Sequence, residues 1–276
     1  MAKRLTVVNE KHRALTILDF LGMKQRGEKI ACLTAYDASF SRLMDEAGID
    51  VILVGDSLGM VIKGEDSTLS VTVDEMVYHS RCVAKSIGRA WLIADLPFMS
   101  YSNPDRAALN AGRLMGEGNA RMVKLEGGRR CAEIIRHLTE QGIPVCSHLG
   151  LTPQAIHQLG GFRIQGKDRD AADRMIDDAR ILEEAGAGML VLECIPRDLA
   201  AEIRRGLTIP TIGIGAGNSC DGQVLVLHDM LGVGLHRTPK FAKNFLAGES
   251  GIDGAVKAFI QAVKAGRFPG QEHGFE

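Results

Sequence analysis

The chain has 276 residues, 45% of them hydrophobic, with 33 basic residues against 34 acidic ones and a formal net charge of -1. A chain of that size and apolarity can bury a sizeable core, as one large domain or two smaller ones. Balanced charge, without blocks of one sign, gives no footprint for nucleic acid or for a membrane surface.

The first stretch, MAKRLTVVNEKHRALTILDF, alternates charged and apolar residues and lacks the unbroken apolar core of a signal peptide. No apolar run approaches membrane-spanning length. Within the first 27 residues, ALTILDFLGMKQRG predicts a short extra helix suited to covering the bottom of a barrel. The cysteines at 32, 82, 131, 146, 194 and 220 form no CxxC pair and mostly sit in apolar runs. They read as small buried hydrophobes in a reducing, cytoplasmic compartment.

Eight strand candidates follow in order: 29–37, 51–57, 90–98, 120–128, 144–151, 188–196, 210–217 and 223–230. Several open after the same signal, a helix-like stretch closed by glycine and one or two linking residues, as in DEAG-ID-VILVGDS and EEAG-AG-MLVLEC. Near-continuous Val/Ile/Leu runs suit a parallel sheet buried on both faces. Helices are legible between most strands. TVDEMVYHSRCVAKSIG opens with a Thr72–Glu75 capping box and places Met76, Val83 and Ile87 on one face, flanked by Val77 and Ala84. NPDRAALNAGRLMGEG starts with Asn103 as cap and Pro104 in the first turn. AADRMIDDARILEEAG carries Ala172, Met175, Ile176, Ala179 and Leu182 at helical spacing, and a last helix spans 252–265. SCDG, between the seventh and eighth strands, is too short for a helix. The alternation predicts a single (β/α)8 barrel over 1–276, with a short N-terminal extension of about 27 residues; a doubly wound open sheet is the other architecture that this order allows.

Strand after strand ends on a charged residue. In a barrel the loops that follow the strands form the reactive face. Period-two alternation pairs Val54 with Asp56, Ile93 with Asp95, Val191 with Glu193, and Met122 with Lys124 and Glu126, leaving Val123 and Leu125 for the outer helices. Asp56, Asp95, Lys124, Glu126 and Glu193 are therefore expected to project inward at one end, with His148 of PVCSHLG beside them. Buried like charges raise one another's pKa and cost energy unless a cation intervenes. Lys124 supplies one positive charge. An oxygen-rich site without a His/Cys cluster favours Mg²⁺ for the rest. Such an ion, with open positions, can chelate a 2-oxo acid and withdraw charge as an enolate forms, while a carboxylate outside its coordination acts as base.

Taken singly, each residue has a plainer reading. Asp56 could cap a helix, Asp95 could open a turn before Leu-Pro, Lys124 and Glu126 could be a structural ion pair, Glu193 could lie at a solvated loop edge, and His148 could be a satisfied core histidine. Their coincidence at strand ends is what favours function. IGIGAG (212–217) is neither a dinucleotide fingerprint after a first strand nor a P-loop. Its glycines read as close-approach positions rather than a phosphate cradle. His228 and Asp229 read as core or capping residues that could also face the mouth.

The ordered motifs CLTAYD, VGDSLGM, ADLPFMSY, VKLEGG, HLGLTPQ, GGFRIQGK, VLECIP, IGIGAGNSCDGQVLV and PKFAKNFL resemble the ketopantoate hydroxymethyltransferase family from about residue 28 to the tail. The resemblance implies a (β/α)8 barrel related to the phosphoenolpyruvate/pyruvate enzymes. It implies transfer of a one-carbon unit from 5,10-methylenetetrahydrofolate to 3-methyl-2-oxobutanoate, opening pantothenate biosynthesis. It also implies Mg²⁺ ligation by Asp56 and Asp95 with Glu126 in the metal site, substrate contacts from Asp56, Ser57, Asp95 and Lys124, and Glu193 as proton acceptor. The implied assembly is a homodecamer. Ser70 and Ser147 stand where the family often has proline and glycine, and Ser147 neighbours His148.

Overall fold

A computed structural model describes residues 13–235 and 237–276, so the first 12 residues of the expected extension lie outside the described residues. Eight parallel strands form a closed barrel: β1 (Ile30–Thr34), β2 (Val51–Val54), β3 (Trp91–Asp95), β4 (Met122–Glu126), β5 (Val145–Gly150), β6 (Met189–Glu193), β7 (Thr211–Ile214) and β8 (Gly222–Leu225). Each pairs with its sequence neighbours, and β8 closes on β1 in the register Ile30 to Gly222. The open doubly wound alternative is thereby excluded.

The strands separate two layers of core, as their apolar runs require. Cys32, Val51, Leu53, Ile93, Met122, Cys146, Val191 and Val224 fill the barrel interior. Leu33, Ile52, Leu92, Val123, Leu125, Leu190 and Leu192 pack outward under the helices. Each such side chain contributes roughly 1.5–3 kcal/mol by leaving water.

The helix signals hold in detail. The helix Val73–Ala84 begins with Thr72 Oγ1 accepting from the Glu75 backbone N–H at 3.2 Å while Glu75 accepts from the Thr72 backbone N–H at 2.8 Å. It buries Met76, Val77, Ser80 and Val83, and Ile87 packs against the same core from the turn beyond its end. Asn103 caps Pro104–Gly116 by accepting from Arg106 N–H at 2.9 Å. The helix Arg169–Glu184 buries Ile176, Ala179 and Leu182, with Ala172 and Met175 at its margin. The last helix spans Ile252–Lys264.

Helix Ile17–Arg26 seals the N-terminal end of the barrel. Phe20 and Met23 join the interior core, and the Phe20 ring meets Trp91, the first residue of β3, edge-on at 6.2 Å. Lys24 reaches across to Asp221 at 3.0 Å and to the Ile209 carbonyl at 2.8 Å.

Several strands end earlier than expected, and one of them changes type at its end. The eighth strand stops at Leu225, and Leu227–Leu231 form a short helix instead of the strand's end. Leu227, Met230 and Leu231, spaced i, i+3, i+4, all enter the outer core. That helical period is hidden inside the run VLVLHDML, and the Leu227 N–H donates to Thr34 Oγ1 at 3.0 Å where the strand would have continued. No helix joins β7 to β8.

Asp221 anchors the sealed end. Its carboxylate accepts from Arg204 at 2.8 Å and from Thr211 N–H at 3.0 Å, beside Lys24. Burial pushes its pKa up, but these donors outweigh burial and hold it below the usual carboxylate value. Asp221→Asn is expected to cost about 2–3 kcal/mol of unfolding stability. Because the native pKa is depressed, the wild-type advantage is complete above the unfolded-state pKa and fades as pH falls through the native one. Thermal unfolding of both proteins from pH 7 down to pH 3 checks the magnitude and the sign.

Candidate active site

The opposite end of the barrel is open. A cavity of about 720 Å³ lies over the carboxyl ends of the strands, and Asp56, Ser57, Asp95, Lys124, Glu126, His148 and Glu193 all line it. Every residue that the sequence nominated for the site is therefore brought to one place.

Strand alternation delivers most of them. Ile93 lies in the interior core below Asp95, Met122 below Lys124 and Glu126, Cys146 below His148, and Val191 below Glu193. Asp56 arrives by another route. Val54 packs outward, so unbroken alternation from Val54 would have turned Asp56 away from the cavity. Instead β2 ends at Val54, the chain turns at Gly55, and the Asp56 backbone N–H donates to Asp95 Oδ2 at 3.1 Å. The expected shared face of Val54 and Asp56 is thus corrected: a turn, not a strand, aims the carboxylate. Ser57 follows it, with Oγ 2.8 Å from the Tyr36 hydroxyl.

The charged groups are interlocked. Lys124 Nζ lies 2.7 Å from Asp95 Oδ1 and 3.9 Å from Glu126 Oε1. His148 bridges two acids, with Nδ1 3.3 Å from Glu126 Oε1 and Nε2 3.2 Å from Glu193 Oε2, the latter contact lacking hydrogen-bond alignment. Glu193 is the acid most open to the cavity, its side chain 15% exposed against 1–3% for Glu126 and Asp95.

Burial and the neighbouring Asp95 and Glu126 raise the Asp56 pKa well above its ordinary value, although Lys124 opposes them. Burial also acts against the Lys124 charge, yet Asp95, Glu126 and Asp56 keep the ammonium protonated with a raised pKa. Burial and Lys124 work against protonation of His148, but Glu126 and Glu193 prevail and lift it to about 9. Glu126 is held below its ordinary value by His148, Lys124 and the Gln154 N–H, against the pull of burial.

Sequence reasoning missed Gln154. Its side-chain amide donates to Asp56 Oδ2 at 2.8 Å and to the Leu96 carbonyl at 3.0 Å, and its backbone N–H donates to Glu126 Oε2 at 3.0 Å. Tyr101 fixes the amide's orientation by donating to Oε1 at 2.6 Å. Gln154 sits in a single turn of helix after β5, where no period-two signal exists, although the motif HLGLTPQ contains it.

The remaining candidates sort themselves plainly. Asp229 lines the cavity, and the His228 ring lies against Tyr36 at 5.8 Å. The glycines of IGIGAG abut protein side chains: a Cβ at Gly215 would meet Phe241 and Phe275, and one at Gly217 would meet Arg197. They serve close packing. Ser147 is fully buried on the strand face opposite Cys146 and His148, so it does not intrude on the mouth.

A sequence model described as ketopantoate hydroxymethyltransferase matches residues 14–271. The chain belongs to the ketopantoate hydroxymethyltransferase family. The match begins just before the N-terminal helix, earlier than the motifs near residue 28. A protein of Methylococcus capsulatus named 3-methyl-2-oxobutanoate hydroxymethyltransferase is 60% identical over 95% of this chain and 97% of its own length. One of the same name from Nitrosococcus oceani is 56% identical over 92% and 97%. Among solved structures, phosphonopyruvate hydrolase in complex with oxalate and Mg²⁺ aligns with TM-score 0.59 at 12% identity, covering 76% of this chain and 80% of that one. The 2,3-dimethylmalate lyase, a member of the PEP mutase/isocitrate lyase superfamily, aligns with TM-score 0.56 at 16% identity over 76% and 80%. These two share the barrel.

For this family member the donor chemistry fits a hard dication. Four carboxylates face two cations, Lys124 and protonated His148, so two negative charges lack a counterpart. The raised Asp56 pKa is how that shortfall appears in the ion-free chain. Among the described residues no three His, Cys, Asp or Glu side chains form a group that could hold a metal by themselves. Mg²⁺ binds through one or two carboxylates and keeps water or substrate in its other positions. Asp56 and Asp95 fit as those two. Both oxygens of Glu126, like both of Asp95, already have protein partners, so either carboxylate would share its partners with an ion. Gln154→Leu, which frees the Asp56 carboxylate to turn, is expected to weaken Mg²⁺ binding by about 10- to 100-fold, measured by calorimetric titration.

Proposed function

We propose that the chain transfers a hydroxymethyl group to 3-methyl-2-oxobutanoate, taking the one-carbon unit from 5,10-methylenetetrahydrofolate and forming 2-dehydropantoate. The observation that carries this reading is the division of labour in the cavity. Cationic Lys124 and two aspartates form a buried floor, while Glu193 stands partly open on the wall.

Mg²⁺ held by Asp56 and Asp95 would supply Lewis-acid polarisation of the carboxylate and keto oxygens of the oxo acid. Lys124 stabilises negative charge on those oxygens from the protein side, and Ser57 offers its hydroxyl to the carboxylate. Leu53, Val191, Ile214 and Val224 line the same cavity and suit the isopropyl end of the substrate. Glu193 removes the proton from C3. His148 backs Glu193 and Glu126, holding both carboxylates in place with one ring. The C3 carbon attacks the donor methylene, water supplies the hydroxyl oxygen, and tetrahydrofolate leaves. Six free cysteines, five of them buried, support a reducing cytoplasmic setting. No helix among the described residues is long and apolar enough to cross a membrane.

The whole reading is tested by formation of 2-dehydropantoate from the oxo acid and methylenetetrahydrofolate, with and without Mg²⁺. The base is tested separately. Deuterium wash-in at C3, in the absence of the folate, is expected to slow by about 10²- to 10⁴-fold in Glu193→Gln; exchange at the wild-type rate would remove Glu193 from that role. We also propose a homodecamer. Sedimentation equilibrium is then expected to return ten times the 29.8 kDa chain mass.

A further inference from the structure

The cavity is far larger than its buried floor requires. At about 720 Å³ it falls within the roughly 300–1,000 Å³ that hold drug-sized ligands, whereas a five-carbon oxo acid occupies only the inner end. Its charge also reverses along its depth. The inner lining carries the buried Asp56, Asp95 and Glu126 and the partly open Glu193. The exposed outer lining carries Arg163, Lys167 and Lys240. Asp229 is the remaining carboxylate of the lining and has a partner of its own.

Arg163 and Lys167 have no ion-pair partner among the described residues. Lys240 donates to the neutral Gly274 carbonyl at 3.0 Å and lies over the Phe275 ring at 5.2 Å, with no carboxylate partner among the described residues. Aromatic surface is interleaved with these cations. Phe162, 60% exposed and adjacent to Arg163, lines the cavity together with the half-buried Phe241 and Phe275. Phe162 thus offers apolar ring surface to a ligand beside cations at the rim of a reactive cavity. The segment that carries them is not a free tail. The Gln165 N–H is tied to the Cys194 carbonyl at 3.0 Å, immediately after Glu193. Gly166, at φ 73°, sits where a Cβ would strike Leu199.

We infer that this outer half of the cavity is the docking site of the one-carbon donor, with the aromatic side chains against its flat ring system and Arg163 and Lys167 receiving its terminal carboxylates. The inference rests on the transferase reading above and adds a place for the second substrate. Planar guanidinium on carboxylate and ring on ring are the contacts that such a molecule offers. The carboxylate of the oxo acid is matched by Lys124 and the metal site at the floor, so it does not need the rim.

The test is steady-state kinetics of the double variant Arg163→Ser/Lys167→Ser. The KM for methylenetetrahydrofolate is expected to rise about 10- to 100-fold, with the KM for the oxo acid and kcat changing less than about threefold. The same donor without its glutamate, the methylenetetrahydropteroate form, is expected to show a high KM in the parent enzyme and no further rise in the variant. Donor KM should climb steeply with ionic strength in the parent and only weakly in the variant. C3 exchange without donor reports that the inner site is folded. An unchanged donor KM in the variant, or an equal rise for the glutamate-free donor, overturns the inference. So does an equal rise in the oxo-acid KM, which would make the cations a general anion funnel. Absence of any hydroxymethyl transfer by the parent enzyme overturns the transferase reading itself, which separates the two failures.

Discussion

The contact on which the mouth depends is the 2.7 Å pair between Lys124 Nζ and Asp95 Oδ1. It is almost wholly buried, in a cavity whose floor also holds Asp56, Glu126 and His148. Removing one partner of such a pair typically costs 3–5 kcal/mol, because the other is left buried and unmatched. Asp95 is committed twice over, through Oδ1 to Lys124 and through Oδ2 to the Asp56 backbone. The aspartate therefore sets the position of the turn after β2 as well as the position of the ammonium. Gln154 completes the constraint from the other side by holding Asp56 and Glu126 at once. The floor is a small, rigid lattice of donors and acceptors with too much negative charge, and that excess is its chemical potential for a cation.

Such a site is tolerable only on a scaffold that is stable elsewhere. The opposite end of the barrel supplies that stability. Phe20 and Met23 close the interior, and Asp221 collects Lys24, Arg204 and Thr211 into a satisfied network. The two ends use the same residue types to opposite effect. At the bottom an acid is matched by donors and its pKa falls; at the top Asp56 is crowded by acids and its pKa rises. Strain at a reactive site offset by consistency elsewhere is the usual economy of an enzyme.

Much of this was legible in the sequence, for identifiable reasons. The eight apolar runs, their parallel arrangement and the inward faces of β3, β4 and β6 follow from period-two alternation and the need to bury both sheet faces. The capping box at Thr72 and the Asn103 cap are local and therefore readable. What failed was set by turns. Asp56 reaches the cavity by a route other than the expected one, since the bend after Val54, not the strand, directs it. The end of β8 was misread because Val, Leu and Met suit either element, and only their contacts chose a helix. Gln154 stayed hidden because a residue in an irregular loop has no periodic signature. Its importance lies in bonds between β2, β3 and β5 loops that are distant in the chain.

The fold alone does not choose the reaction. The hydrolase and the lyase whose barrels superimpose on this one share only 12–16% of its residues, so what they have in common is the closed sheet and its open end. What differs must sit on the loops that follow the strands. In this chain the floor is built from strand ends and the first turns after them, close to the sheet and buried. The rim is built from the loop segments 160–167 and 239–241, on which Phe162, Arg163, Lys167 and Lys240 are exposed. Strand-borne groups hold their geometry with sub-ångström fidelity, as positioning an acid, a base and an ion demands. Loop-borne groups can change without disturbing the barrel. A floor fixed by the strands combined with a rim that can vary is thus a physical route by which one barrel comes to serve different substrates, and in this chain Arg163 and Lys167 stand on the part that can vary.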